Sequence, residues 1–459
     1  MDDPEQSQLF LERLADNKPV VKELPKLDLE TIAANYAGPV RILRLECIAN
    51  TSPILSREAF RLAILQAREG MNVPLYLQLV GQFAKLDPTH ELATVDTAWV
   101  EERRKKIKSE GDTLEAELKA YKNNLIKESI RMANEDLGNF YLSTGSLTEA
   151  YQSFHRMREF CTTSKHIAEM AMKMIYVAIL QRNWSAVNTH RAKILGLPLK
   201  DDERAKYEPV LQACLGLSKM ARGEYHLASE AFRQVGQAYT VAEPLGGITF
   251  QTHVLTPNDV AIYGTLCALW RFSRDSLRRS MLENPKFRPL LELEPQLRRA
   301  MTQITMCKYS AGLAIIDSYM PDFMLDMYLQ PHAKDIYDGM RQACITEWTA
   351  AFSVVTLDEL ASVFPPRDRT LVEEIEAMIE DDALNLMRID LVDRTLVWGH
   401  GGHNSTMGSA RRCRHISLQR SIGEAKKAEH ELRLRLLRLN MQAADLVLKG
   451  SPNPIRKQN

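Results

Sequence analysis

From Ala33 onward apolar residues recur at helical spacing with little interruption, which predicts a mostly α protein. Ile107, Leu114, Leu118, Tyr121 and Leu125 advance by seven, four, three and four, the spacing of one face of a long helix whose other face is charged. Before Ala33 the chain mixes acidic residues, prolines and short apolar pieces, and residues 1–32 read as a weakly ordered tail.

A repeat occupies the N-terminal half. Leu137, Gly138, Tyr141, Gly145, Ala150 and Phe154 hold the offsets of a tetratricopeptide hairpin, in which small residues let two helices approach and aromatics fill the groove between them. Leu215, Gly216, Gly223, Ala228 and Phe232 repeat those offsets. Gly145 and Gly223 are 78 residues apart, twice 39, and a degenerate middle copy falls at Trp184, Ala186 and Val187. Three stacked hairpins are expected within a tetratricopeptide-like arm over 33–255, an architecture whose surface binds other chains.

After the turn-rich Glu243-Pro244-Leu245-Gly246-Gly247, the capping signal Thr256-Pro257-Asn258-Asp259 restarts the helical pattern, and prolines punctuate the short helices that follow. At Val354-Val355-Thr356 the pattern changes. Thr356 caps a helix over Leu357–Val363, and Phe364-Pro365-Pro366 turns the chain into a second helix over 369–382 with Leu371, Val372, Ile375 and Ile379 inward. Leu386 to Leu391 then alternates with period two, Asp393-Arg394 offers a turn, and Thr395 to Trp398 returns. Two helices followed by a two-stranded wing predict a winged helix over 351–400. A lone hairpin leaves edge hydrogen-bonding groups at Arg388, Ile389 and Asp390 that a neighbouring domain can complete.

Glycines at 399, 401, 402 and 408 mark a flexible linker over 401–416. Over 417–449 the residues Leu418, Ile422, Ala425, Glu429, Leu432, Leu436, Leu439, Ala443 and Leu446 alternate steps of four and three, the heptad seam of a helix that bundles with others. Glu429 alone interrupts it.

Composition narrows the function. Hydrophobic residues at 45% and charged residues at 26% exclude wholesale disorder, and 59 basic against 59 acidic residues leave no net field toward nucleic acid or anionic lipid. The acidic N-terminus lacks a signal-peptide pattern and no run of about 18 apolar residues occurs, so neither secretion nor membrane insertion is expected. Seven scattered cysteines without chelating spacing read as reduced thiols of the cytosol or nucleus. Phosphate-loop, dinucleotide and nucleophile-elbow motifs are absent from the sequence. His400 and His403, the close histidine pair, sit on the linker without a nearby carboxylate and make a poor zinc site. Cys161 and His166 lack an orienting third group and read as structural. Neither a catalytic residue, a cofactor nor a metal is therefore expected. The second helix of the winged helix carries Glu373, Glu374, Glu376, Glu380, Asp381 and Asp382 against Arg369, a surface that repels a DNA duplex and suits a protein partner. The basic run Arg103 to Lys106 has the composition of a nuclear import signal, although a solvated helix face is the commoner origin of such a run.

A helical-repeat arm leading into a winged helix and a final long helix resembles the PCI family, shared by the proteasome lid, the COP9 signalosome and a translation initiation factor. Within it, Tyr121 to Arg131, Asn134 to Gly138, Met157 to Thr163, Leu291 to Gln296 and Leu325 to Leu329 are similar to the branch of signalosome first subunits. The resemblance implies a PCI domain over 256–400, its helical part over 256–350. It further implies a non-catalytic scaffold of a complex that removes the modifier Nedd8 from cullins and so regulates cullin-RING ubiquitin ligases, with catalysis in a separate zinc metalloprotease subunit. The winged helix and the last helix (Leu418, Ile422, Leu432, Leu436, Leu439, Leu446) would meet other signalosome subunits, and the arm a cullin-RING substrate, in cytoplasm and nucleus. A scaffold subunit of the 26S proteasome regulatory lid is the alternative with the same architecture. The tail before Asn35 and the linker from Gly399 to Arg414 match nothing in the family.

Overall fold

The computed structural model describes residues 6–398, apart from 272, 368, 369, 381–383, 385 and 386. The expected linker over 401–416 and the seam over 417–449 lie outside the described residues. By internal contacts the chain divides into residues 1–385 with 389–397, and residues 386–388 with 398–459. Of the second unit, only Met387, Arg388 and Trp398 are described, all within short strands.

The N-terminal segment is more ordered than its composition suggests. Helix α1, Gln8–Ala15, buries Leu9 and Phe10, the latter completely, and the Val21 N–H donates to the Thr51 carbonyl at 2.9 Å. Asp28 then caps α2, Leu29–Asn35, by accepting from the Thr31 N–H at 2.9 Å. A helix this short is marginal alone. Burial of Phe10 and Leu9, each contributing about 1.5–3 kcal/mol, supplies what local propensity lacks. Their hosts are α3, Gly38–Thr51, α4, Ser56–Glu69, and α5, Val73–Leu86, whose core includes Leu45, Ile48, Ala63, Leu79 and the edge-to-face pair Phe60 and Phe83, 5.9 Å apart.

Helix α6 runs Thr97–Asn123, with Asp96 accepting from the Trp99 N–H at 3.0 Å as its cap. Leu118 is buried and Ile107 and Leu114 pack beside it, but the expected stripe stops at Tyr121. Leu125 lies past the helix end with φ 56° and is 81% exposed, because the chain reverses there into α7, Lys127–Thr144.

The three hairpins are α7 with α8, Leu147–Arg156; α9, Ser164–Leu180, with α10, Trp184–Leu195; and α11, Asp201–Met220, with α12, Tyr225–Phe232. Successive hairpins stack through α8 on α9 and α10 on α11. The shared offset has a direct steric cause. A Cβ on Gly138 would lie 2.4 Å from the Phe154 ring, and one on Gly216 2.6 Å from the Phe232 ring, so each aromatic lies on a bare backbone. Counted from the starts of the second helices, the middle copy has Ile175 and Arg191 at these positions, Ile175 buried and Arg191 half-buried, so the glycine-to-aromatic contact belongs to the first and third hairpins.

His190 of α10 is 3% exposed, its Nε2 2.8 Å from the Tyr151 hydroxyl. Burial first, then Lys193 and His155, lower its pKa from 6.5 to about 4. Above pH 6.5 the ring is neutral folded or unfolded. As pH falls from 6.5 toward 4 the unfolded chain takes up a proton that the folded chain refuses, so stability drops by up to about 3 kcal/mol. Urea titrations at pH 7.5 and 4.5 should show this loss, and His190→Gln, which does not titrate, should reduce it. An equal loss in the variant would assign the acid sensitivity to other groups.

Past the left-handed pair Gly246 and Gly247, the short α13, Phe250–His253, leads into α14, Pro257–Leu269. Thr256 and Asp259 form its capping box: the Thr256 hydroxyl accepts from the Asp259 N–H at 3.1 Å and the Asp259 carboxylate from the Thr256 N–H at 2.8 Å. Helix α14 is buried from Asp259 through Leu269 except at Ile262 and packs on α12. Around it lie α15, Arg274–Leu277, α16, Arg288–Leu291, α17, Pro295–Thr305, α18, Tyr309–Asp317, α19, Met320–Phe323, and α20, Ala333–Thr349.

The winged helix comprises β1, Val354–Thr356, α21, Leu357–Val363, α22, Leu371–Glu380, β2, Met387–Asp390, and β3, Thr395–Trp398. Thr356 caps α21 in a second capping box with Glu359. Helix α22 turns Leu371, Ile375 and Met378 inward, so Met378 replaces Val372 and Ile379 of the expected face, both only half-buried. The expected two-stranded wing is a three-stranded sheet of order β1-β3-β2, with Val354, Val355 and Thr356 antiparallel to Val397, Leu396 and Thr395. Three residues are too few to display an alternation, which is why β1 escapes a pattern reading. Among the described residues no helix is long and apolar enough to cross a membrane.

Candidate functional site

Among the described residues no group of three His, Cys, Asp or Glu side chains is placed to hold a metal ion. His400 and His403 lie outside them. Cys161 is half-buried and burial pushes its thiol pKa upward, opposite to what a nucleophilic thiolate requires. Burial also drives the Cys214 thiol to about 12.

The most concentrated chemistry is a buried ion cluster tying the N-terminal helices to the α14 region. Arg44 of α3, 5% exposed, reaches Asp259 at 3.0 Å with Nη2 and Asp326 at 2.5 Å with Nη1. The Tyr36 hydroxyl donates to Asp259 at 2.7 Å, and the Tyr263 hydroxyl to Asp326 at 2.7 Å. Asp326 also accepts the Tyr328 and Leu329 backbone N–H groups, each at 2.9 Å. The guanidinium lies 4.1 Å from the Tyr36 ring centroid. Burial pushes both carboxyls up and Arg44 draws both down; the balance leaves Asp259 above the ordinary carboxylate value and Asp326, with its extra hydrogen bonds, below it. No substrate-sized chemistry is needed to explain this set. It is a polar clamp between segments more than 200 residues apart in sequence, every carboxylate contact of which is charge-assisted or donated by a buried hydroxyl or amide.

A second clamp fixes the winged helix. Arg341 of α20, also buried, forks onto Glu374 of α22 at 2.8 and 3.1 Å and donates to the Pro365 carbonyl at 2.9 Å. Glu374 is thereby withdrawn from the surface, leaving Glu373, Glu376 and Glu380 as the exposed acids of α22. Arg367 is itself engaged, 3.0 Å from Asp317 and 4.3 Å from the Tyr337 ring centroid. Arg369, Asp381 and Asp382 lie outside the described residues.

The strand order makes β2 an outer strand, with Arg388 and Asp390 exposed and Ile389 half-buried. An outer strand presents unpaired backbone donors and acceptors. At the tip Asp390 accepts the Val392 and Asp393 N–H groups at 2.9 and 3.2 Å, which lifts Leu391 and Val392 into solvent, Val392 at 91% exposure. The strand expected over 386–391 thus ends at Asp390, one residue before Leu391. The apolar tip has no periodic signature, but Asp390 with two following amides is a local turn signal that marks it.

Two family models match the chain: 26S proteasome subunit RPN7 over residues 96–280 and the PCI domain over residues 316–400. The chain is 39% identical to COP9 signalosome complex subunit 1 of Emericella nidulans over 94% of this chain and 84% of that protein. It is 30% identical to COP9 signalosome complex subunit 1 of Arabidopsis thaliana over 94% and 93% of the two chains. A 26S proteasome non-ATPase regulatory subunit 6 of Oryza sativa is 26% identical over 32% of this chain.

Proposed function

We propose, on the premise that the chain belongs to the COP9 signalosome complex subunit 1 family, that it is a non-catalytic scaffold supporting removal of Nedd8 from cullins and so regulating cullin-RING ubiquitin ligases. The near full-length relation to subunit 1 proteins carries this reading, whereas the proteasome relative spans a third of the chain. The PCI match and the outer strand β2 support assembly through the winged helix. The heptad seam supports a second attachment, and the stacked hairpins offer the surface for a cullin-RING substrate. The basic run on α6, where Arg104, Lys105 and Lys106 are exposed, is consistent with residence in nucleus as well as cytoplasm.

Reconstitution tests the reading. Co-expressed with the other signalosome subunits, the chain should co-elute with them on size exclusion, and the assembly, not the isolated chain, should release Nedd8 from a modified cullin. Chelator-sensitive release that tracks the purified chain would overturn the scaffold role, and co-purification with proteasome subunits would favour the lid. Leu436→Asp should sharply reduce incorporation. Arg388→Pro and Ile389→Pro between them remove the outward amide of β2, whichever residue bears it, and one of the two should impair assembly.

A further inference from the structure

The turn joining α6 to α7 is exposed without a break from Lys119 to Glu128, between the buried Leu118 and Ile130. Tyr121, Leu125 and Ile126, the last 52% exposed, place three large apolar side chains on it within six residues. Scattered exposed aliphatics are ordinary, but a contiguous group on a projecting turn marks a contact surface. Hydrogen bonds define the reversal. The Asn124 N–H donates to the Ala120 carbonyl at 3.2 Å, the Leu125 N–H to the Lys122 carbonyl at 3.3 Å, and the Ile130 N–H to the Ile126 carbonyl at 3.0 Å. A left-handed backbone such as that at Leu125 suits glycine or asparagine better than leucine. Neither burial nor local conformation therefore accounts for a leucine at this position. Lys119, Lys122 and Lys127 are exposed and form no ion pair among the described residues. Glu115 sits roughly 10 Å back along the α6 axis from Lys122 and holds the Tyr141 hydroxyl at 3.0 Å. Glu117 lies roughly 140–160° around α6 from Lys122 and Lys119. At the tip, Lys122 and Lys127 meet one acid, Glu128, which Arg131 neutralises at 2.7 Å.

We propose that the α6–α7 turn docks an acidic segment of a partner protein that carries aliphatic residues. Leu125 and Ile126 pack against the aliphatic side chains of that segment, and its carboxylates meet Lys119, Lys122 and Lys127. Complementary charge brings the segment to the turn and excludes basic competitors, while the apolar contact holds it. An anionic membrane fits less well. Insertion of Leu125 and Ile126 would carry Asn123, Asn124 and the half-exposed Glu128 toward the apolar phase with them. The site goes beyond the scaffold reading and does not depend on it, since the wing and the seam contribute nothing to this turn.

Fluorescence anisotropy of the full chain with a labelled peptide in which aspartate alternates with leucine tests the assignment. Two control peptides carry asparagine for aspartate or serine for leucine. Saturable binding is expected for the first peptide, weakening as salt rises, and at least tenfold weaker binding for each control. Lys122→Glu with Lys127→Glu should weaken it at least tenfold, and so should Leu125→Asn with Ile126→Ser. Leu125→Asn alone suits the left-handed backbone, so it should keep or raise the melting temperature while weakening the peptide. A fall in melting temperature would instead make Leu125 a structural residue and overturn the docking role. So would no saturation at submillimolar peptide, unchanged binding in both double variants, or tighter binding to phosphatidylserine vesicles than to the peptide. Self-association of the chain that Leu125→Asn abolishes would assign the turn to a second copy and equally overturn the proposal.

Discussion

Arg44→Met should lower the stability of the protein by about 3–5 kcal/mol, the range for stripping one partner from a buried ion cluster. Methionine fills much of the same volume, so the loss is electrostatic. Asp259 and Asp326 would face each other with no cation between them, held only by the Tyr36 and Tyr263 hydroxyls and backbone amides. Without Arg44 both folded pKa values should rise above the unfolded value. A carboxyl raised in the folded state favours folding at low pH and loses that contribution as pH climbs through the folded pKa. The deficit of the variant relative to the parent should therefore be larger at pH 7.5 than at pH 5, as urea titrations will show. Arg44→Met combined with Asp259→Asn and Asp326→Asn should recover much of the loss, because what costs is the uncompensated charge. A deficit below 1 kcal/mol, or one independent of pH, would mean that solvent reaches the cluster.

Phe232→Ala should cost about 3–5 kcal/mol, at the level of large aromatic truncations in a well-packed core. Phe232 is fully buried, lies on Gly216 of its own hairpin, and has its ring centroid 6.1 Å from that of Tyr263 on α14. Its loss opens a cavity where the last repeat meets α14, and Tyr263 is also a member of the Arg44 cluster. Hydrogen exchange should lose protection in α11, α12 and α14 together, with α7 and α8 less affected. Gly216→Ala attacks the same contact from the other side by overpacking, an effect of about 1–3 kcal/mol. If Phe232→Ala leaves exchange in α14 unchanged, the two elements are less coupled than their packing implies.

The sequence reveals these features unequally. The glycine-to-aromatic offset of the hairpins is readable because both partners sit within one short stretch and the steric demand is absolute. Capping boxes at Thr256 and Thr356 are readable for the same reason, since a cap acts over three residues. The Arg44 cluster is hidden: its partners lie 215 and 282 residues away, and nothing local distinguishes a buried arginine in α3 from a solvated one. Only Asp259 carries a trace, as part of a cap. The order of α1 is likewise hidden, because Phe10 is fixed by the core it meets and not by its own neighbours. Leu125 misled for the opposite reason. Its spacing continues the stripe of α6, but the chain turns left-handed before it can be buried.

The order of the sheet also has a consequence for synthesis on the ribosome. The central strand β3 is the last of the three to be made, so β1 and β2 have no hydrogen-bonding partner until it emerges. Val354 pairs with Val397, 43 residues later, which at about 5–20 residues per second leaves β1 unpaired for roughly 2–9 seconds. The repeat hairpins, whose contacts are local, can close on the ribosome during elongation. Closure of the wing waits for translation of β3. A stall or truncation between Asp390 and Thr395 would release a chain with a finished arm and an open sheet, a species whose exposed strands make it a substrate for chaperones before it can become a subunit.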